Sequence, residues 1–241
     1  MVAIVANADV SEVQRAVGQL VVGAFFFAMR SCEYSEVTGS RRTQVIRIGD
    51  LDFRKDGRIV DVADAHRLQE ADTVSVTYRS QKNGERGVTV TQHRTVGSGQ
   101  GSLCPVRSFA DLVTRVSQYE LNDHKRWALA EERPINLVVT GERAILISSN
   151  QVIQQLRAGA LLYGEERLGF TTNRIGTHSL RSGAATAMFL AGVPTETIQM
   201  IGRWKSQAFL RYIRIQVQQL TQGVASGMIE HSNFFTIGQR K

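Results

Sequence analysis

The sequence predicts an α+β protein, a mainly helical domain with a small antiparallel β-sheet. Three observations lead there. Val10, Val13, Val17, Leu20, Val21, Ala24 and Phe25 recur near a 3.6-residue spacing. Val74, Val76 and Tyr78 alternate on one side of Asn83-Gly84, and Val88 and Val90 on the other, which is a strong hairpin signal. Capped helical stretches then follow one another from Ser149 to Leu220. With 241 residues, 42% of them apolar, the chain has enough material for a packed core.

Each element can be justified in turn. The first helix spans Asp9 to Met29 and ends apolar nearly all round, as a core helix does. Gly39, Arg41 and Arg42 mark a loop. From Thr43 the period shortens, and Val45, Ile46, Ile48, Leu51 and Phe53 predict a first strand or two before the Lys55–Gly57 turn. The hairpin covers Thr73 to Thr91, with Lys82 at its tip. Residues 96 to 102 are Gly/Ser-rich and read as a flexible loop. Leu103 to Val116 forms a helix with Pro105 near its start. Residues 119 to 143 are mixed and polar, with short strands at Ile135–Thr140 and Arg143–Ser148. Ser149 or Asn150 caps the helix that follows, and Gly164–Asn173 is a loop. The next helix starts at an N-cap Thr177 and stops near Gly192, and Pro194 opens another. A last helix runs from about Ser206 to Leu220. The chain therefore divides into a domain over 1–220 and a tail over 221–241. The tail's irregularly spaced apolar residues need something to pack on, and a neighbouring protomer is the expected surface.

Composition narrows the function. The net charge is +7 and the pI about 9.8, which points to an acidic partner, nucleic acid first and an anionic membrane second. From Glu166 to Arg214 the bases are Arg167, Arg174, Arg181, Arg203, Lys205, Arg211 and Arg214, against the acids Glu166 and Glu196. Cys32 and Cys104 stand alone, outside any metal-binding pattern, and read as reduced intracellular thiols. The longest apolar run, Leu20–Met29, is too short to span a bilayer, and no signal peptide is read. No GxGxxG, Walker loop or metal-ligand cluster is present in the sequence, so neither cofactor nor metal is expected.

Chemistry concentrates in THSLRSGAATAMFLAGVPTETIQMIGRWKSQAFLRYIRIQVQQL, from Thr177 to Leu220. On a helix, His178 and Arg181 share a face and can point at one ligand. Arg grips phosphate bidentately, His moves a proton, and the hydroxyl of a later Tyr, Tyr212, can attack phosphorus. A His-x-x-Arg pair alone is weak, since most are structural or solvated. Arg30 and Glu33, in FFFAMRSCEYSEV, would by themselves be an exposed pair capping a helix.

The whole string resembles the second conserved box of the tyrosine recombinases, the phage-integrase family, and FFFAMRSCEYSEV resembles the first. The strings RSQKNGERG, HSLRSG and GRWKSQAFLRYIR look like recombinase-like genes of mobile elements. The resemblance covers roughly residues 10 to 220. It implies the family's catalytic core, a DNA strand transferase. Family members carry a helical DNA-clamping domain before the first box. With about 29 residues ahead of Arg30, a catalytic domain without that clamp is expected.

The resemblance also implies roles. Arg30 and Arg181, with Arg203 or Trp204, bind the scissile phosphate, and Glu33 orients catalytic side chains. Arg203 stands nine positions before Tyr212, the family's usual interval for its His or Trp, and Trp204 stands eight before. Both can donate to a phosphate oxygen, and the choice stays open. Tyr212 attacks to form a 3′-phosphotyrosine, His178 assists its proton transfer, and Lys82 on the hairpin protonates the departing 5′ oxygen. Arg79 and Arg86 compete with Lys82 for that place. Arg79, Arg86, Arg174, Lys205, Arg211 and Arg214 are expected on the DNA backbone. The implied partner is double-stranded DNA, bound by a homo-oligomer, a tetramer, inside the cell and without a membrane. Two rival functions fit the same residues: type IB topoisomerase-like DNA relaxation, and a catalytically silent DNA-binding domain.

Overall fold

A computed structural model of the chain describes residues 10–39, 43–80, 84, 86–95, 103–121 and 128–213. Among them are nine α-helices, a four-stranded antiparallel sheet and a two-stranded one, an α+β architecture.

The first helix, α1, runs Glu12–Phe26. It starts later than its apolar period because Ser11 forms a capping box with Gln14. It stops earlier because Ala28 adopts a left-handed backbone, φ 45°. A single short turn, α2 at Ser31–Tyr34, follows. Of the strand or two expected from Thr43, the stretch holding Leu51 and Phe53 is a strand, but residues 43–48 are not. Ile46 and Ile48 are buried, but this segment meets residues 133–135 through single hydrogen bonds and an isolated bridge between Arg47 and Pro134. Proline has no N–H with which to extend a ladder. A 3-10 turn at Ile48–Asp50 then leads into β1, Leu51–Lys55.

β1 pairs with β2 (Arg58–Val60) and with β3 (Thr73–Tyr78), and β3 pairs with β4 (Val88–His93). The order is β2-β1-β3-β4. The register sets Phe53 opposite Val74 and Val76 opposite Val90, so the apolar alternation falls on one buried face. The tip residues 81–83, and with them Lys82 and the expected type I′ turn, lie outside the described residues. Between β2 and β3, Asp64 caps a helix absent from the sequence reading, α3 at Ala65–Glu70.

Helix α4, Pro105–Ser117, lies against α1. Strands β5 (Leu137–Thr140) and β6 (Arg143–Leu146) form the second sheet. Helix α5 is Ser149–Tyr163, and its cap is Ser148, one residue before the expected pair, in a box with Gln151. The expected loop after it contains the turn α6, Glu165–Leu168. Then come α7 (Ser179–Leu190), α8 (Thr195–Gly202), a 3-10 turn at Gln207–Phe209, and α9 (Leu210–Ile213). The rest of the expected last helix, Arg214 and the tail lie outside the described residues.

The main core joins α1, α4, both sheets and Leu180 of α7. A second, much smaller core of Ala185, Ile198, Phe209 and Ile213 supports α7, α8 and α9. In the main core, Phe109 of α4 meets Phe27 edge-on with ring centroids 5.5 Å apart. Its ring lies over Gly23, where an added Cβ would come within 2.7 Å of Phe109 Cζ. Close helix approach thus depends on a glycine facing an aromatic ring. Phe109→Ala should lower stability by about 3–5 kcal/mol, read from the midpoint of chemical denaturation; a cost below about 1 kcal/mol would mean that the α1–α4 seam is not the centre of the core.

Candidate functional site

Four segments distant in sequence meet at one place: the end of α1, the turn α2, strand β3 and the end of α8. At its centre is Glu33, fully buried. One carboxylate oxygen accepts from the Arg30 main-chain N–H at 2.8 Å and from Arg203 Nη2 at 2.6 Å. The other accepts from Arg30 Nη1 at 2.9 Å. Arg30 and Glu33 close on each other across the turn α2 as a capping pair, which is why their three-residue spacing matters. Glu33 forms ion pairs with both Arg30 and Arg203.

Arg181, in the first turns of α7, is 4% exposed. Its Nη1 donates to the carbonyl of Ala28, and Nη2 donates to the carbonyl of Gly202 at 2.5 Å. These carbonyls close the C-terminal ends of α1 and α8, where the helix dipole concentrates negative partial charge. Burial pushes the Arg181 guanidinium down to about 9, and the cations Arg30 and Arg203 push the same way, against Glu33 and Tyr212. Main-chain dipoles thus hold a desolvated cation that, among the described residues, has no carboxylate hydrogen-bonded to it, although Glu33 favours its charge from a distance.

Arg203 caps α8 in a left-handed conformation, φ 55° and ψ 46°. Besides Glu33, it donates from Nη1 to the carbonyls of Phe27 at 3.3 Å and Ile201 at 3.2 Å. Its guanidinium lies 3.5 Å from the centre of the Tyr78 ring. Trp204 turns the other way. Its half-buried indole stacks on Arg181, 4.1 Å from guanidinium carbon to ring centre, and neighbours Tyr212 with ring centroids 6.3 Å apart. A cleft of about 470 Å³ opens between β4 and α8, with Arg203 and Trp204 in its wall.

Tyr212 is half-buried on α9, at the edge of the smaller core. The other described tyrosines are less suited to attack. Tyr34 and Tyr78 are buried, and burial pushes both phenols well up. Burial also raises the Tyr119 phenol, which is hydrogen-bonded to Glu12 and Arg115. Tyr163 is 59% exposed at the end of α5.

The structure thus brings Arg30, Glu33, Arg181, Arg203, Trp204 and Tyr212 together. His178 occupies the N-cap position that Thr177 was expected to fill, and it is exposed while Arg181 is buried. Their spacing therefore does not set both side chains at one depth. Arg79, a competitor for the hairpin place, is ion-paired through Nε with Asp50, whose side chain is 6% exposed. Arg86, Arg174, Lys205 and Arg211 lie on the exposed surface. Lys82 and Arg214 are outside the described residues.

Three contributors were missed in the sequence: Tyr78, Asp50 and Arg157. Arg157 donates to the carbonyls of Asn173 and Ile175 and so shapes the approach to His178. Tyr78 alone left a signal, as a large aromatic at an inward position of an alternating strand. Among the described residues no group of three or more His, Cys, Asp or Glu could hold a metal, and no helix is long and apolar enough to cross a membrane.

No protein-family model matches the chain, and a comparison with curated proteins finds no match.

The Trp204 stack depends on Gly202. A Cβ at that position would come within 1.6 Å of the indole ring. Gly202→Ala should therefore expel Trp204 from Arg181 while α8 persists. In a Trp127→Phe background, the fluorescence of Trp204 should shift toward that of a solvated indole with helix content unchanged; an unaltered spectrum would show that the ring does not rest on Gly202.

Proposed function

We propose that this protein is a site-specific DNA recombinase of the tyrosine-recombinase type, one that cleaves and rejoins strands through a 3′-phosphotyrosyl intermediate. The observation that carries this reading is Arg181. It is a buried guanidinium bonded to two carbonyls, has no ion-paired carboxylate among the described residues, and has Arg30 and Tyr212 close enough to act on its charge. Burying a charge without a counterion is costly, and a phosphate diester supplies the missing anion. Two arginines on the non-bridging oxygens would also stabilise the charge that develops during attack.

In this mechanism Tyr212 Oη attacks the scissile phosphorus in line. The bond from phosphorus to the 5′ oxygen breaks, and that oxygen takes a proton. Lys82 is the proposed acid, and Asp50 engages its competitor Arg79. His178, at the exposed start of α7, takes the phenolic proton from Tyr212. A 5′ hydroxyl then attacks the phosphotyrosine, frees Tyr212 and rejoins the strand, so the phosphate-bond energy is kept and no nucleotide cofactor is consumed. The exposed bases Arg86, Arg174, Lys205 and Arg211 would follow the flanking backbone, joined by Arg214. Strand exchange requires two duplexes, so the proposed working form is a homo-tetramer on DNA inside the cell.

The test uses the whole chain and a pool of nicked suicide duplexes of randomised sequence. Duplex binding should weaken steeply as salt rises, since several phosphates exchange counterions for Arg and Lys. A denaturation-resistant protein–DNA adduct should form with the wild type and vanish with Tyr212→Phe, while folding and DNA affinity persist. An adduct accompanied by plasmid relaxation but no exchange between duplexes would favour topoisomerase-like chemistry. Salt-sensitive binding with no adduct would favour a silent DNA-binding domain.

A further inference from the structure

Arg203 stands at the sequence interval of a phosphate-contacting donor, yet its side chain is turned into the protein. It is as buried as Arg181 and likewise bonded to carbonyls and stacked on a ring, but it differs in being ion-paired with the buried Glu33 at 2.6 Å. Its Nε is buried as well and has no hydrogen-bond partner among the described residues. Reaching a phosphate would break the ion pair and strip Arg203's charge from a carboxylate with no exposure. The main chain of Arg203, by contrast, serves the arginines directly. Its left-handed conformation sits at the turn that presents two successive carbonyls to arginines. The Gly202 carbonyl accepts from Arg181 Nη2 at 2.5 Å, and the Arg203 carbonyl accepts from Arg30 Nη2 at 3.4 Å.

We propose that Arg203 is a positioning residue: it clamps the Gly202–Trp204 turn onto Glu33 and Tyr78, and this turn sets the angle at which Arg30 and Arg181 meet the phosphate, which Arg203 itself never touches. The assignment rests on the strand-cleavage reading above. A left-handed position usually favours glycine or asparagine, and an arginine is held there by what its side chain binds. The side chain fixes the turn, the turn presents the carbonyls, and the carbonyls orient the two gripping guanidiniums.

Arg203→Lys keeps the charge near Glu33 but loses the planar fork and the stack on Tyr78. It should melt at a lower temperature yet remain folded at the assay temperature and bind duplex DNA with affinity within about twofold of the wild type, while forming the Tyr212 adduct about 100-fold more slowly at saturating DNA. The second measurement combines Arg203→Met with Glu33→Gln, which removes both members of the pair and holds even if Arg203→Lys fails to fold. The combined loss in cleavage rate should be close to that of the worse single variant, because both act through one contact. Losses that multiply, or an Arg203→Lys protein cleaving at the wild-type rate, would overturn the assignment while leaving strand cleavage intact. A wild-type protein that forms no Tyr212-dependent adduct would overturn both.

Discussion

The site depends on one buried carboxylate. Glu33 has no solvent exposure, and removing such a group from water costs several kcal/mol unless its lone pairs are filled. Here three N–H groups fill them, one from the Arg30 main chain and two from the guanidiniums of Arg30 and Arg203. The contact with Arg203 joins residues 170 positions apart. Such a pair adds little net stability compared with apolar packing, but it is intolerant of displacement, because either partner left alone in the interior is heavily penalised. Its contribution is therefore geometric: the end of α8 has one place relative to α1 and the turn α2 in which Glu33 is satisfied.

The electrostatics follow from the same carboxylate. Three guanidiniums gather around one anion, and two helix ends contribute partial negative charge but no whole one. Arg181 bears the consequence, with its charge disfavoured first by burial and then by its two cationic neighbours. Arg30 lies at the edge, its side chain 19% exposed, where an incoming anion could meet it without opening the core. Under the proposed function, the phosphate would supply charge that the cluster lacks. Preorganisation has a physical form here: the donors are held by carbonyls and an ion pair before the anion arrives.

Much of the fold was legible in the sequence because it follows local rules. The sheet strands announced themselves by alternation, α4 by its proline, and α8 by Pro194. What was not legible depended on contacts between distant residues. The Val45–Ile48 segment has the apolar pattern of a strand, yet Pro134 interrupts the partner that would have made it one. Ser148 took the cap from Ser149 because Gln151 stands where it can close the box. The assembly of Arg30, Arg181 and Tyr212 was expected from the resemblance alone, and neither the carbonyls that hold Arg181 nor the ring beneath Arg203 has a sequence signature. The orientation of Arg203 was the least legible of all. Nothing local marks an arginine for a left-handed backbone, and Glu33 and Tyr78 become its neighbours only after folding.

The division of the core explains why arginines carry so much of this structure. Tyr212 and Trp204 rest on the smaller cluster, whose fully buried members are Ala185, Ile198, Phe209 and Ile213. Four side chains of that size bury too little apolar surface to fix α8 and α9 firmly on their own. The main core reaches this region chiefly through α7, which packs on α1 and contributes Leu180. Ile201 of α8 also packs against the main core, and polar ties add to it: Arg181 to the carbonyl of Ala28, Arg203 to the carbonyl of Phe27, and Arg203 to Glu33. Arg181 and Arg203 are therefore fasteners between the two cores. Under the proposed function, an anion engaging Arg30 and Arg181 would act on the seam that positions Tyr212, which would couple binding to the alignment of that side chain. Loss of activity in an arginine variant is consequently interpretable only beside its stability, since one side chain serves both.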